Sequence, residues 1–149
     1  MHRPGITQGI AALLSLLFLL SCASLQMGGA PDGTLHAPPD QLHSKIVTVL
    51  EKPPLEYTIT KAAKGKIRAQ KEYPGDPYGL PFLRKQMRER ASLAITLVPS
   101  RDRSGHTDLY IRVTLEESEP YQTRWETKYD SDKEQEIIST LLQKLEGEL

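Results

Sequence analysis

The stretch Leu13–Cys22, LLSLLFLLSC, constrains this chain more than any other. It is apolar apart from Ser15 and Ser21, and it ends on the only cysteine of the 149 residues. A positive charge at Arg3, an apolar core from Ile10 to Leu20 and a small-residue exit make the pattern of a secretory signal. The core is shorter than the ~20 apolar residues a helix needs to cross a bilayer. Leu19-Leu20-Ser21-Cys22 has the order of a bacterial lipobox: aliphatic, then small, then cysteine. At such a site the thiol becomes a thioether carrying diacylglycerol, and cleavage before the cysteine frees an amine for a third acyl chain. Each buried CH₂ of such chains contributes ~0.8 kcal/mol, and two or more chains make a stable anchor. The sequence therefore predicts a signal peptide over residues 1–21 and lipidation at Cys22. Ala23 follows the cysteine where an inner-membrane signal would have Asp, which points to the bacterial outer membrane with the domain in the periplasm. The competing readings are an ordinary signal peptide with an incidental cysteine, and an uncleaved membrane anchor.

Beyond the cysteine the chain divides in two. Residues 22–39 read as a lipidated tether: Gly, Pro, Ala and Ser dominate and no apolar periodicity is visible. Such a segment cannot bury enough surface to offset its ordering entropy. Residues 40–149 read as a single domain. Lys plus Arg and Asp plus Glu balance at 19 each, so no global field draws the chain to nucleic acid. With its one cysteine acylated, the mature chain has no disulfide and must be held by an ordinary apolar core, built mainly from Leu, Ile and Val.

The order of elements is set by periodicity. Leu42, Ile46, Val49 and Leu50 lie at helical spacing behind Asp40, and Pro53-Pro54 stops them, so a helix is expected over Asp40–Glu51. Leu55–Thr60 and Lys66–Tyr73 alternate apolar and polar residues around a turn at Lys61–Gly65, which reads as a hairpin. Pro74–Pro81 holds three prolines and two glycines and is expected to lack regular structure. Phe82–Arg90 reads as a short helical turn or a strand start, and strands come next at Ala91–Pro99 and Asp108–Glu116. A last strand is expected at Tyr121–Glu126. Ser131-Asp132-Lys133-Glu134 has the S-x-x-E form of a capping box. It precedes a helix over Asp132–Glu146 with Ile137, Ile138, Leu141, Leu142 and Leu145 on one face and Gly147 as its exit. Helix, about five antiparallel strands, helix calls for a two-layer α+β domain.

That order behind a lipobox resembles the helix-grip domains of the BamC (NlpB) family, the lipoprotein C components of the outer-membrane barrel-assembly machinery. The points of contact are the helix Leu42–Leu50, the hairpin turn Lys64-Gly65-Lys66-Ile67, the alternating pair Leu93–Leu97 and Leu109–Leu115, and the closing Ile/Leu helix. The resemblance implies a helix-grip fold and a non-catalytic role as an interaction module in envelope and outer-membrane protein assembly. Its partners would be the membrane, through the anchor, and an envelope protein. Helix-grip folds also hold lipids or small hydrophobic molecules between helix and sheet, which is the alternative function.

No catalytic, metal or cofactor set is legible. His36, His43 and His106 have no second ligand at a metal-like spacing and read as surface residues. Glu116, Glu117 and Glu119 cluster without the Asp/Asn-Gly pattern of a calcium loop. Two features point to contact surfaces. Tyr73, Tyr78 and Phe82 lie among prolines and glycines, where aromatics mark either a docking loop or a cover for the sheet edge. Arg84, Lys85, Arg88 and Arg90, with Lys64, Lys66, Arg68 and Lys71, form a basic cluster suited to anionic lipid head groups or an acidic partner, or to a solvated, aggregation-resistant edge. Tyr73, Tyr78, Phe82, Arg84 and Arg88 are the candidate partner contacts.

Overall fold

Alternation fixes which side of each strand meets the core, and registry then stacks those sides. In the computed structural model, which describes residues 29–149, Ile67 pairs with Ile95 and Ile95 with Ile111. One step along, Ala69 pairs with Leu93 and Leu93 with Val113, so one face of the sheet is continuously apolar. The sheet has six antiparallel strands: β1 (Gly33–Leu35), β2 (Thr58–Ala63), β3 (Lys66–Tyr78), β4 (Lys85–Pro99), β5 (Thr107–Ser118) and β6 (Glu126–Lys128). The order is β1-β5-β4-β3-β2, with β6 also on β5. Helices α1 (Pro39–Glu51) and α2 (Ser131–Glu148) pack on the apolar face in one core with it. The α+β order of helix, antiparallel sheet and helix is as expected, with six strands where about five were expected.

Leu42, Ile46 and Leu50 of α1 and Leu141 and Leu145 of α2 are essentially fully buried. Burying each contributes roughly 1.5–3 kcal/mol. Asp40 lies in the first turn of α1, where a negative charge suits the helix dipole, and no side chain caps that helix. At α2 the cap is Asp130, one residue before the expected Ser131; its carboxylate accepts from the Lys133 N–H at 3.0 Å. Gly147 does not end α2, which runs on to Glu148. Lys45 of α1 donates to the Glu148 carbonyl and ties the two helices together.

The folded unit begins at Pro31, not at residue 40. Gly33–Leu35, expected within the tether, is strand β1 on β5. Leu35 and Ala37 are buried, and the Asp32 carboxylate accepts from the Ile111 N–H at 2.6 Å. The Thr107 hydroxyl donates to the Ala37 carbonyl at 2.7 Å. A Cβ at Gly33 would come within 2.7 Å of Leu142, so the absent side chain lets β1 lie under α2. A three-residue strand with one buried side chain gives no periodic signal, and its composition hid it. Cys22 and the signal segment lie outside the described residues.

The second hairpin departs most from expectation. Pro74–Pro81 was expected to be irregular, yet β3 runs through Pro74 and Pro77 to Tyr78, paired with β4 across a bulge. The reason is position. β2 pairs with β3 only from Lys66 to Gln70, so beyond Gln70 the strand is an outer edge. There a proline nitrogen turned to the open side costs no ladder bond. Two smaller shifts accompany this. Leu55–Tyr57 precedes β2 instead of opening it, with Glu56 at φ 52°. The last strand is Glu126–Lys128, and Tyr121, at φ 67°, lies in a turn.

Candidate functional site

β3 and β4 project past the rest of the sheet and end in the turn Gly79–Arg84. Gly79 takes φ 109°, and a Cβ there would sit 2.9 Å from the Leu83 carbonyl oxygen, so the turn requires glycine. The Leu83 N–H donates to the Leu80 carbonyl at 2.8 Å, closing a four-residue turn with Pro81 in its second position, the place proline favours. This local lock holds the apolar side chains outward. Tyr78 is 67% exposed, Leu80 59%, Phe82 78% and Leu83 67%. Four large apolar side chains on one tip form a patch of the kind that marks a contact site. Arg84 adjoins it and has no ion pair among the described residues.

The other expected contacts are not free. Arg88 pairs with Glu72 at 2.8 Å and lies 4.9 Å from the centre of the Trp125 ring. Arg90 pairs with Glu116 at 2.8 Å and covers the same ring at 4.3 Å. Lys71 and Lys85 have carboxylates at 4.0 and 3.9 Å, so four of the eight basic side chains of that cluster have acidic neighbours. Tyr73 is not on the loop at all. It faces the core side of β3 with the Lys133 ammonium 4.5 Å from its ring centre, and its hydroxyl is buried without a hydrogen-bond partner. Tyr78, Phe82 and Arg84 are therefore brought together, while Tyr73 and Arg88 are held in contacts of their own. Leu80 and Leu83, which the tip adds, were readable as members of the apolar run Gly79-Leu80-Pro81-Phe82-Leu83.

Behind the hairpin lies a polar knot. Glu89 occupies a core-facing position of β4 and is 4% exposed. Its carboxylate accepts from Lys128 at 2.7 Å and from Lys133 at 2.6 Å. Burial alone would raise the Glu89 carboxyl, but the two lysine hydrogen bonds outweigh it and hold the group below its ordinary value. Gly75, at the β3 bulge, makes room: a Cβ there would lie 2.7 Å from Glu89 Cγ. The sequence carried a sign of this knot, since Glu89 falls in step with Ala91, Leu93, Ile95 and Leu97.

Beside the knot, the start of α2, the segment before β2 and β3 enclose an open cleft of about 330 Å³. Leu55, Tyr57, Tyr73 and Ile137 supply its apolar walls, and Lys71, Lys133 and Glu136 its charges. Burial first, and then the neighbouring Tyr73, push the Tyr57 phenol up to about 12.

The histidines converge only in part. The His36 and His106 rings lie 4.6 Å apart, and His43, expected at the surface, is half-buried with its Nε2 shielded and without a hydrogen-bond partner. Among the described residues no three His, Cys, Asp or Glu side chains gather to hold a metal. No helix among them is long and apolar enough to cross a membrane. Comparison with protein-family models gives no match for this chain, and comparison with curated proteins gives none either.

Proposed function

We propose that this chain is a non-catalytic lipoprotein of the bacterial outer membrane, held by acyl chains on Cys22 with its domain in the periplasm. It acts as an interaction module in envelope and outer-membrane protein assembly, the role that resemblance to the BamC family implies. The observation that carries the reading is the hairpin tip, where a locked turn keeps Tyr78, Leu80, Phe82 and Leu83 exposed beside the uncompensated charge of Arg84. An apolar recess with an acidic rim on an envelope protein would match it. At interfaces a few side chains buried in well-packed pockets carry most of the binding energy, with Tyr and Arg prominent among them.

Two measurements test this. A photo-crosslinking residue at position 82 in cells should give a discrete adduct with an envelope protein, and the same residue at exposed Lys144 on α2 should not. Equal adducts from both positions, or none from 82, would sink the docking role. Cys22→Ser should abolish lipid labelling and leave an uncleaved precursor; normal processing would sink the anchor. The second reading, a module for a small hydrophobic ligand, is supported by the cleft at the start of α2.

A further inference from the structure

We infer that the sheet face turned away from the helices binds anionic lipid head groups, through the cations Lys61, Lys64, Lys66, Arg68 and Arg112. The inference is independent of the hairpin tip, and only the nearness of a membrane rests on the lipid anchor proposed above.

Strand register assembles these charges. From Tyr57 to Lys71 the chain holds five lysines and arginines and no Asp or Glu. Lys71 has Glu56 beside it. Parity turns the others outward: Ile67 and Ala69 are buried under the helices, so Lys66 and Arg68 lie on the opposite face. Lys61 stands directly across the ladder from Arg68. Arg68 pairs with Ala94, and Ala94 with Arg112, so β5 adds a third cation to the same row. With strands ~4.8 Å apart, Arg68 and Arg112 flank one small side chain at a separation of about 10 Å. All five cations are exposed, and none has an ion pair among the described residues. Residues 1–28 hold no Asp or Glu that could supply one. Two carboxylates share the face, at its β1–β5 edge. Asp32 accepts from the Ile111 N–H and Asp108 from the Thr34 hydroxyl. Further along the same face Arg88 and Arg90 meet Glu72 and Glu116. The uncompensated charge therefore belongs to the β2–β3 end, in a chain that is neutral overall.

Like charges directly opposite on neighbouring strands destabilise a sheet, so the Lys61–Arg68 pair is a repulsion built into the fold. Guarding an edge against aggregation accounts for Lys61 on the outer strand β2. It does not account for Arg68 on β3 or Arg112 on β5, which are inside the sheet. An anion over the row offsets the repulsion. Guanidinium groups take phosphate oxygens through paired N–H donors, and an ammonium group adds a point charge. The layout then selects the source of the phosphate. The cations spread across strands and along β3, in two directions, as head groups do on a bilayer, whereas an acidic peptide offers its charges along one line. The chain also enters the domain at the edge of this face: the folded unit begins at Pro31, and Asp32 lies against Ile111, next to Arg112. On the anchored reading Pro31 stays within about 30 Å of the bilayer, so the face meets head groups without a long search. Cations held near an anionic leaflet act together over a Debye length.

The test places the full chain on nanodiscs of phosphatidylcholine, with or without phosphatidylglycerol. A photo-crosslinking residue sits at exposed Ala63, on the face of Lys61, or at exposed Lys144 on α2. Phosphatidylglycerol should raise lipid adducts at position 63 about tenfold or more, and leave position 144 unchanged. Arg68→Gln with Arg112→Gln should remove most of that rise, as should salt near ~0.5 M, which screens exposed charges. Lys61→Glu should do the same while leaving the unfolding midpoint unchanged or higher, because it turns the opposed pair into an ion pair. That variant separates lost binding from lost folding. Equal adducts on the two lipid compositions overturn the charge selection, and an equal rise at 63 and 144 overturns the face. A protein adduct at position 63 in cells, in place of lipid, overturns the choice of occupant. Failure of the anchor alone shows as lost lipid labelling at Cys22, and the same contrast at position 63 is then required of chain added to preformed discs.

Discussion

The two halves of the β3–β4 hairpin are one pair of strands put to opposite uses. In the lower half, Ile67, Ala69, Leu93, Ile95 and Leu97 lie under the helices and are nearly solvent-free. In the upper half, from Tyr78 to Lys85, no helix among the described residues covers the strands, and the large apolar side chains stand exposed. Glu89 and its lysines mark the boundary between them. The lesson is that apolar content alone does not identify a core. What separates the halves is whether a second layer exists to receive the side chains. Where none does, apolar residues held out by a locked turn are available to another molecule.

Breaking the lower half should have the largest effect. Ile95→Ala opens a cavity in a site with 1% exposure and should cost about 2–5 kcal/mol of unfolding free energy in denaturant titration. A loss comparable to that of a surface change would mean the two halves are not distinct. At the boundary, Glu89→Ala leaves two ammonium groups without their buried partner. Those lysines retain some exposure, 24% and 32% of their side chains, so the cost should be about 1–3 kcal/mol.

Acid should probe the same boundary more gently. Folding lowers the Glu89 carboxyl, so its contribution is complete above the ordinary Glu range, near pH 4.3, and disappears as pH falls through the lower folded value. Glu89→Gln should therefore lose stability less steeply than the natural chain below about pH 4.3. Identical acid slopes would remove Glu89 as a contributor. The smallest effect is expected at the tip. Phe82→Ala should shift unfolding free energy by no more than about 0.5 kcal/mol and abolish the partner adduct of a photo-crosslinking residue placed at exposed Leu80. A large stability loss there would mean the tip packs on something in the folded chain.

Periodicity made most of this fold legible. The two helices and the strands at Ala91–Pro99 and Asp108–Glu116 were visible because apolar residues recur at 3.6 or at 2 over many positions. β1 was not, because three residues are too few to show a period, and what holds it is contact with Leu142 and β5 far along the chain. The prolines of β3 misled for a related reason. Whether proline breaks a strand depends on which edge is paired, and Pro74 and Pro77 fall just past the end of β2. At the site, Tyr78, Phe82 and Arg84 were found from an aromatic loop beside charges, whereas Tyr73 was placed with them by proximity in sequence. Strand parity separates it: Tyr73 pairs with Glu89 on the covered face.

The capture of Gly33–Leu35 by β5 has a consequence for reach. An extended chain spans at most about 3.3–3.6 Å per residue. From Cys22 to residue 40 that bound would be about 60 Å; to Pro31, where the folded unit begins, it is about 30 Å. On the anchored reading, halving this upper bound cuts the largest half-sphere open to the domain by about eightfold, and raises the floor on its local concentration against neighbours on the same membrane by the same factor. A weak contact at the hairpin tip would then suffice for a partner beside the anchor and fail for one that must be found across the periplasm.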